Sequence, residues 1–524
     1  MAYNCFPLDR NFAAFVFRPF IVHRRRSRPD LKVCAASCSV AALMLLFAGC
    51  ASLIQSPRVH QPYSPEEFGK EFPPEELRRD VDRLVRVMQD VHPNLYASTP
   101  KSRIDSARWR IKRDLTTPLT RDAFYTRVAP LAALVGDAHT SVSPPTEEFS
   151  AYQSGGGLLF PFAIDYSSET GVTITRCYNP VTVLVPGDRI VRINGYSMDS
   201  LACQFLAGFS GERKSYREHR VASWMQLLLW LHRIDPPYEL LVQLRGSREQ
   251  TNRHIDGVSR AEMTRRDSLL AKEMGSGLPY QLERTGEKIG YINFRAMVNF
   301  DRFNKFLLTT FAGFQINPPR GLIIDLRNNG GGDSRLGDAL LSFLTDSSFR
   351  SAQRKEWKMS AEYKTYLRLH LPWWIRWMPL TWVSAEARKY LGADDGAIVI
   401  DTSAPETPDT NSLRFRGKTC FLIGPKTFSS AMMLANAVAD YHLATLIGEE
   451  TGGIPNAFGE VYPFDLPNTR LLVGVSSAYF VRANGDSGDH HGVMPDIEVR
   501  QSPENDQAGV DAVMERARRW ILEE

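Results

Sequence analysis

Hydrophobic positions change their period three times along this chain, and each change marks a different kind of element. In EELRRDVDRLVRVMQDVHP, Leu77, Val81, Leu84, Val85, Val87 and Met88 fall on one face at three- and four-residue spacing, which predicts an amphipathic helix. Thr120 stands as an N-cap before RDAFYTRVAPLAALVG, and the turn-like Gly136-Asp137 ends that second helix. A helical unit is therefore placed at 74–150. From Gly155 the pattern turns strand-like: three glycines run into Leu158-Leu159-Phe160, VTITRC alternates, and GDRIVRING closes on an Asn-Gly hairpin turn. This predicts a β-rich unit at 151–250. From Lys288 nearly continuous apolar strands alternate with helical stretches: IGYINF, RFNKFLLTTFAGF, GLIIDL, SRLGDALLSFL, KTCFLIG, SSAMMLANAVADY and ATLIG. That alternation predicts an α/β core with a largely parallel sheet over 255–500. An aromatic insertion at 346–412 carries Trp373, Trp374, Trp377 and Trp382 and reads either as a lid or membrane-facing patch or as a packed cover. Residues 501–524 read as a terminal helix, and no internal repeat is present.

Composition narrows the class. With 524 residues, 43% hydrophobic and 23% charged, the chain is neither disordered nor collagenous nor a polytopic membrane protein. Its net charge of +4 is misleading, because residues 1–49 hold seven cations (Arg10, Arg18, Arg24, Arg25, Arg26, Arg28, Lys32) and two acids (Asp9, Asp30). The remainder is close to neutral, so nothing points to nucleic acid as a partner. After the basic run, Val33 to Gly49 is uncharged and ends in Ala48-Gly49-Cys50, which fits an export signal at 1–50. The ending resembles the lipobox of bacterial lipoproteins. That resemblance implies a lipidated Cys50, a tether at 51–73 and a place in the bacterial cell envelope facing the periplasm; an uncleaved anchor would hold the same domains on the same side. Cys177, Cys203 and Cys420 remain, with a Cys177–Cys203 disulfide open and no zinc-type spacing. No cofactor is expected.

Three places combine reactive side chains with backbone suited to acyl transfer. The first is Asp325-Leu326-Arg327-Asn328-Asn329-Gly330-Gly331-Gly332-Asp333, a glycine loop after the apolar strand GLIID, whose bare amides could hold an oxyanion. Phosphate loops use the same physics, but the Walker P-loop pattern is absent. The second is Lys426-Thr427-Phe428-Ser429-Ser430-Ala431, where a strand turns into a helix. A serine there meets the positive helix end, although Ser429 or Ser430 could equally be a plain helix cap. The third is Gly136-Asp137-Ala138-His139-Thr140, whose histidine could serve as a base, with His92, His490 and His491 as competitors.

In this order DLRNNGGGD, TFSSA, LIGEETGG and HGVMPDIEV, with GDAHT upstream, resemble the successive motifs of the C-terminal processing (tail-specific) peptidases and the related tricorn core. The β-rich unit resembles a PDZ domain, its Gly157-Leu158-Leu159-Phe160 stretch looking like the carboxylate-binding loop. The resemblance covers roughly residues 74–500. It implies an α/β fold with a ClpP/crotonase-like peptidase core, an N-terminal helical domain and an inserted PDZ-like domain. Residue by residue, Ser429 matches the nucleophile, and Ser430 and either Gly330 or Gly331 match the oxyanion donors. Lysine-type members carry their base in the stretch that here reads Thr451-Gly452-Gly453-Ile454-Pro455-Asn456, and no lysine follows Lys426. His139 matches instead the base of tricorn-like members, with Ala138 in place of their serine. Asp489, just before HGVMPD, matches the orienting carboxylate, with Asp137 as another partner; a metal site at Asp489, His490, His491 and Asp496 is disfavoured.

The resemblance thus implies a serine endopeptidase acting through an acyl-enzyme on exported or cell-envelope proteins. Two other readings use the same scaffold: a peptide- or apolar-ligand-binding protein, as retinoid-binding proteins with this core show, or a serine esterase. The His139–Ser429 distance separates catalysis from binding.

Overall fold

The computed structural model describes residues 62–179, 183–274, 278–284, 288–371, 385–501, 505 and 509–523. The export signal with Cys50 and Trp373, Trp374, Trp377 and Trp382 of the insertion lie outside the described residues. Three helices, α1 (Pro74–Val91), α2 (Lys101–Asp114) and α3 (Arg121–Ala133), come first. On α1 the buried face is the one its spacing predicts, from Leu77 through Val81, Leu84 and Val85 to Met88. The chain then forms β1 (Ser141–Val142).

Next comes an antiparallel sheet of β2 (Phe162–Ser167), β3 (Gly171–Cys177), β4 (Arg189–Ile193), β5 (Tyr238–Gln243) and β6 (Gln250–Ile255), in that spatial order. Two helices, α4 (Met198–Leu206) and α5 (Lys214–Ser223), share its core through Leu201, Phe205 and Val221. The predicted turn is present: Asn194 and Gly195 both have positive φ, 45° and 82°, as a type I′ hairpin requires. Cys177 and Cys203 are both free, so the disulfide left open by the sequence is not formed.

The third region alternates strand and helix as expected: β7 (Tyr280–Arg284), β8 (Gly290–Phe294), α6 (Phe300–Ile316), β9 (Gly321–Asp325) and α7 (Arg335–Ser342). The insertion contributes β10 (Arg354–Lys358), α8 (Ala361–His370), α9 (Ala385–Leu391) and β11 (Ile398–Thr402). Then follow β12 (Lys418–Ile423), α10 (Ser430–Asp440), β13 (Thr445–Gly448), β14 (Phe458–Asp465), β15 (Leu472–Val481), β16 (Ile497–Glu498) and α11 (Ala512–Leu522).

The main sheet runs β7–β8–β9–β12–β13–β16, with only the β7–β8 pair antiparallel. It is covered on both sides. Leu322, Ile324, Phe421 and Ile423 point toward α6, α7 and α10, while the alternate residues Ile323, Cys420 and Leu422 point toward α11. A strand buried on both faces has no polar face to alternate with, which is why GLIID and CFLI read as unbroken apolar runs. A second, antiparallel sheet runs β11–β10–β15–β14, with β1 also pairing to β15. The described part of the insertion is a packed cover, since Met359, Tyr363, Leu367 and Tyr390 share one core with Leu84 and Val91 of α1.

Candidate active site

Strand β12 ends at Ile423, and the chain turns sharply before α10 begins. At the turn Ser429 holds φ 51° and ψ −128°, a region that costs an L residue about 1–3 kcal/mol and persists only when its surroundings enforce it. The enforcement is visible. Thr427 Oγ1 donates to the Leu326 carbonyl at 2.9 Å, and the Phe428 amide donates to the Asn329 carbonyl at 3.1 Å. Ser429 forms no side-chain cap on α10, so its Oγ is left for other work, while Ser430 Oγ donates to the Gly332 carbonyl at 2.6 Å.

The glycine loop closes on this turn from the end of β9. Gly331 has φ 97°, and a Cβ there would lie 2.8 Å from Ser429 Cβ and 2.9 Å from the Ser430 amide nitrogen, so only glycine lets the two loops meet. Buried Asn329 fixes the loop by donating from Nδ2 to the Phe294 carbonyl and accepting the Gly331 amide at Oδ1, both at 2.9 Å. The Gly331 amide is therefore occupied. Among the described residues the Gly330 amide has no acceptor, and of the two glycines offered by the sequence it is the available donor. Ser430 supplies a first-turn amide of α10, which lacks an intrahelical partner and carries the positive end of the helix dipole.

The third side comes from the segment between α3 and β1. His139 Nε2 lies 3.2 Å from Ser429 Oγ, although the two are 290 residues apart. Burial pushes the His139 pKa down; the Asp137 charge, the Phe458 carbonyl and Glu460 oppose it, and the net direction is downward, which keeps the imidazole neutral. Asp137 itself is buried and does not orient the ring. It accepts from the amides of His139 (2.7 Å) and Thr140 (3.1 Å), from Ser476 Oγ (2.8 Å) and from His92 Nε2 (3.1 Å). Burial raises its pKa, but the hydrogen bonds from His92 and Thr140 and the two neighbouring imidazoles outweigh it, and it falls to about 2. His92 takes the Asn94 amide on Nδ1, which puts its proton on Nε2 toward Asp137. His92 is thus a support and not a rival base.

Two sequence expectations are corrected by these contacts. Asp489 does not reach His139: its carboxylate pairs with Arg482 and accepts the His491 amide at 2.9 Å, and Arg482 is also held by Asp440. The Arg482 guanidinium, brought in by the end of β15, outcompetes the imidazole as partner, and His139 Nδ1 has no side-chain hydrogen bond. The Gly157–Phe160 stretch is also not an open amide cradle, because the Gly157 amide donates to Tyr152 and Leu159 exchanges both backbone hydrogen bonds with Val258. Leu158 is exposed, while Leu159 and Phe160 are buried. Among the described residues no three His, Cys, Asp or Glu side chains gather as a metal site.

Sequence reasoning passed over an arm between α4 and α5. Glu212 accepts the Ala138 amide at 3.3 Å, Arg213 pairs with Glu450 at 2.6 Å, and Tyr216 stacks on Phe428 at 4.5 Å. Phe428 in turn stacks on the His139 ring at 5.0 Å. No local motif marks this arm, since its partners are supplied by three distant segments.

Residues 288–499 match the family model described as peptidase family S41. A search of the curated proteins finds no match. Among solved structures, mature CPAF complexed with lactacystin is similar with a TM-score of 0.57 at 16% identity, over 86% of this chain and 98% of that one. The crystal structure of mature CPAF gives 0.54 at 15% identity, over 85% and 97%. The photosystem II D1 C-terminal processing protease gives 0.41 at 15% identity, over 82% and 94%. The CPAF likeness shows that the whole mixed α/β arrangement, and not the main sheet alone, is shared.

Proposed function

We propose, from the match of residues 288–499 to peptidase family S41, that the chain is a serine peptidase with Ser429 as its nucleophile and His139 as its general base. The observation that carries the reading is the 3.2 Å approach of His139 Nε2 to an uncapped Ser429 Oγ held in a strained turn. A neutral imidazole with its proton on Nδ1 takes the Ser429 proton on Nε2 as Oγ bonds to the peptide carbonyl carbon. The carbonyl oxygen becomes an anion between the Gly330 and Ser430 amides. Collapse breaks the C–N bond, the His139 proton leaves with the amine, and the acyl-enzyme is then hydrolysed by water that His139 deprotonates. The resulting imidazolium is supported by the Phe458 carbonyl and by Asp137 acting through space, in place of a hydrogen-bonded carboxylate.

Substrates are polypeptides, and the β-rich unit is their recognition module in a PDZ-like manner. Its β2 is an edge strand of the sheet with α5 packed beside it, an arrangement suited to strand addition. Binding there uses the strand edge more than the Gly157–Phe160 amides, of which those of Gly157 and Leu159 are spent. The basic and apolar segment ending at Cys50 supports placing the enzyme in the bacterial cell envelope, lipid-anchored and facing the periplasm, with exported proteins as substrates.

The test is peptide-library cleavage and labelling by a serine-directed phosphonate, each with wild type and Ser429→Ala. Wild type is expected to cleave and to take one label, and the variant to do neither while keeping its circular dichroism and unfolding midpoint. Undiminished labelling or cleavage by Ser429→Ala would remove Ser429 from the mechanism.

A further inference from the structure

Glu212 sits on the arm of the β-rich unit, directly against the segment that carries the base, and this inference rests on the Ser429–His139 reading above. One carboxylate oxygen accepts the Ala138 amide at 3.3 Å; the other, Oε1, is buried with no hydrogen-bond partner. Ala138 has no polar side chain of its own, so its main chain is fixed from outside: by Glu212 on one side and by Asp137 at the next residue. The same arm grips the two other walls of the site. Arg213 holds Glu450, which also accepts the Gly492 amide at 2.8 Å, and Tyr216 stacks on the ring that packs against His139.

The charged groups around Glu212 are few. Asp137, with its partner His92, lies behind Ala138, and His139 lies beyond it. On its own side the cations are Arg213, turned to Glu450, Lys214, turned to Glu218, and Arg217. Among the described residues none forms an ion pair with Glu212. Two carboxylates are thus packed on one short segment with very different company: Asp137 has four donors, two of them side chains, whereas Glu212 has only backbone amides, its own and that of Ala138.

We propose that Glu212 is a positioning residue for the catalytic base: as a neutral acid it lets the arm close on the Ala138–His139 main chain, and as a carboxylate it is repelled by Asp137 and releases it. Burial and then the Asp137 charge push the Glu212 pKa up to about 8; the Ala138 amide favours the anion but is outweighed. Around neutral pH the acid is therefore protonated and the arm closed. Above about 8 a second anion stands beside Asp137 without a counter-charge, and the arm withdraws with Tyr216. Withdrawal takes Tyr216 off the outer face of Phe428, the ring that stacks on His139, and takes the Glu212 contact off the Ala138 amide, so the base loses its alignment with Ser429.

The experiment measures kcat/KM from pH 5 to 10 for wild type, Glu212→Gln and Glu212→Ala on one cleaved peptide. Hydrogen-exchange protection of residues 136–142 is read in the same samples. Wild type should show an alkaline limb and a loss of protection, both centred near pH 8. Glu212→Gln, the permanently neutral isostere, should match wild type at pH 7 and lack both changes. Glu212→Ala should be about tenfold or more slower at every pH and less protected throughout. An unchanged limb or an unchanged protection step in Glu212→Gln overturns the proposal, as does full activity in Glu212→Ala. A protection step that obeys these expectations in a protein that hydrolyses nothing supports the contact and counts against the Ser429–His139 reading instead.

Discussion

Ser429 and Gly331 are pressed together, and each explains the other's backbone. A methyl at Gly331 would meet Ser429 Cβ at 2.8 Å and the Phe428 carbonyl at 2.9 Å, whereas a Cβ at Gly330 has open space around it. Gly331→Ala should therefore cut kcat/KM by about a hundredfold or more and lower the unfolding midpoint. Gly330→Ala keeps its amide and should cost less than about threefold; equal losses in the two variants would contradict this geometry. The acid limb of kcat/KM belongs to His139. Because burial lowers its pKa, the limb should lie below the ordinary histidine value of 6.5, read from a pH profile. Asp489→Asn bears on the corrected orienting carboxylate. With Asp489 engaged by Arg482, kcat should change less than about threefold, against the roughly ten-thousandfold loss expected for a true orienting acid. At this scale the sequence offered Ser429 and His139 as candidates by residue type and neighbours, but it could not rank Gly330 above Gly331, because the deciding hydrogen bond comes from the side chain of Asn329.

The elements divide the same way. Helix α1 and strands β9 and β12 were readable because their periods report which faces are buried, and those faces are buried here. The Gly157–Phe160 stretch was misread because the partner that consumes its backbone, Val258, lies far along the chain. Helix α11 shows an element tied to the site by charge. Arg327, two residues beyond β9, joins Asp325 to Asp511, and Asp511 also caps α11 by accepting the Met514 amide at 2.9 Å. Burial raises the Asp511 pKa, but the Arg327 hydrogen bond and charge outweigh it, so the folded value is depressed. Its contribution is present above the ordinary carboxylate range and is lost as pH falls through the folded value. Asp511→Ala should cost about 1 kcal/mol at pH 7 and progressively less at pH 4 and below, measured by chemical denaturation at each pH.

For the whole molecule the decisive fact is that His139 and Ser429, 290 residues apart in sequence, meet at 3.2 Å. Helix α1 packs on β15, and Leu84, fully buried, shares a core with Val473 and Val475 of that strand and with Tyr363 of the insertion. The helical region and the second sheet should then unfold together. Leu84→Ala is expected to cost about 3 kcal/mol, with near-ultraviolet circular dichroism and peptidase activity lost at the same denaturant concentration. Activity surviving past the structural transition would mean that the helical region is dispensable for holding His139.

By itself the sequence determined the periods of the helices and strands, the α/β alternation, the serine at a strand-to-helix turn and the family that its ordered motifs resemble. These are written in neighbours a few residues apart, where propensity and burial pattern act. The tertiary structure alone decided that Asp489 serves Arg482, that Asp137 holds the main chain and not the ring, that Gly330 keeps the open amide, and that Glu212 reaches the base from another unit. Each of those outcomes is a choice of hydrogen-bond partner or a degree of burial. The Glu212 contact joins distant segments outright, while the short-range bonds of Asn329 and Asp137 are held in place by distant partners, the Phe294 carbonyl for Asn329 and Ser476 and His92 for Asp137.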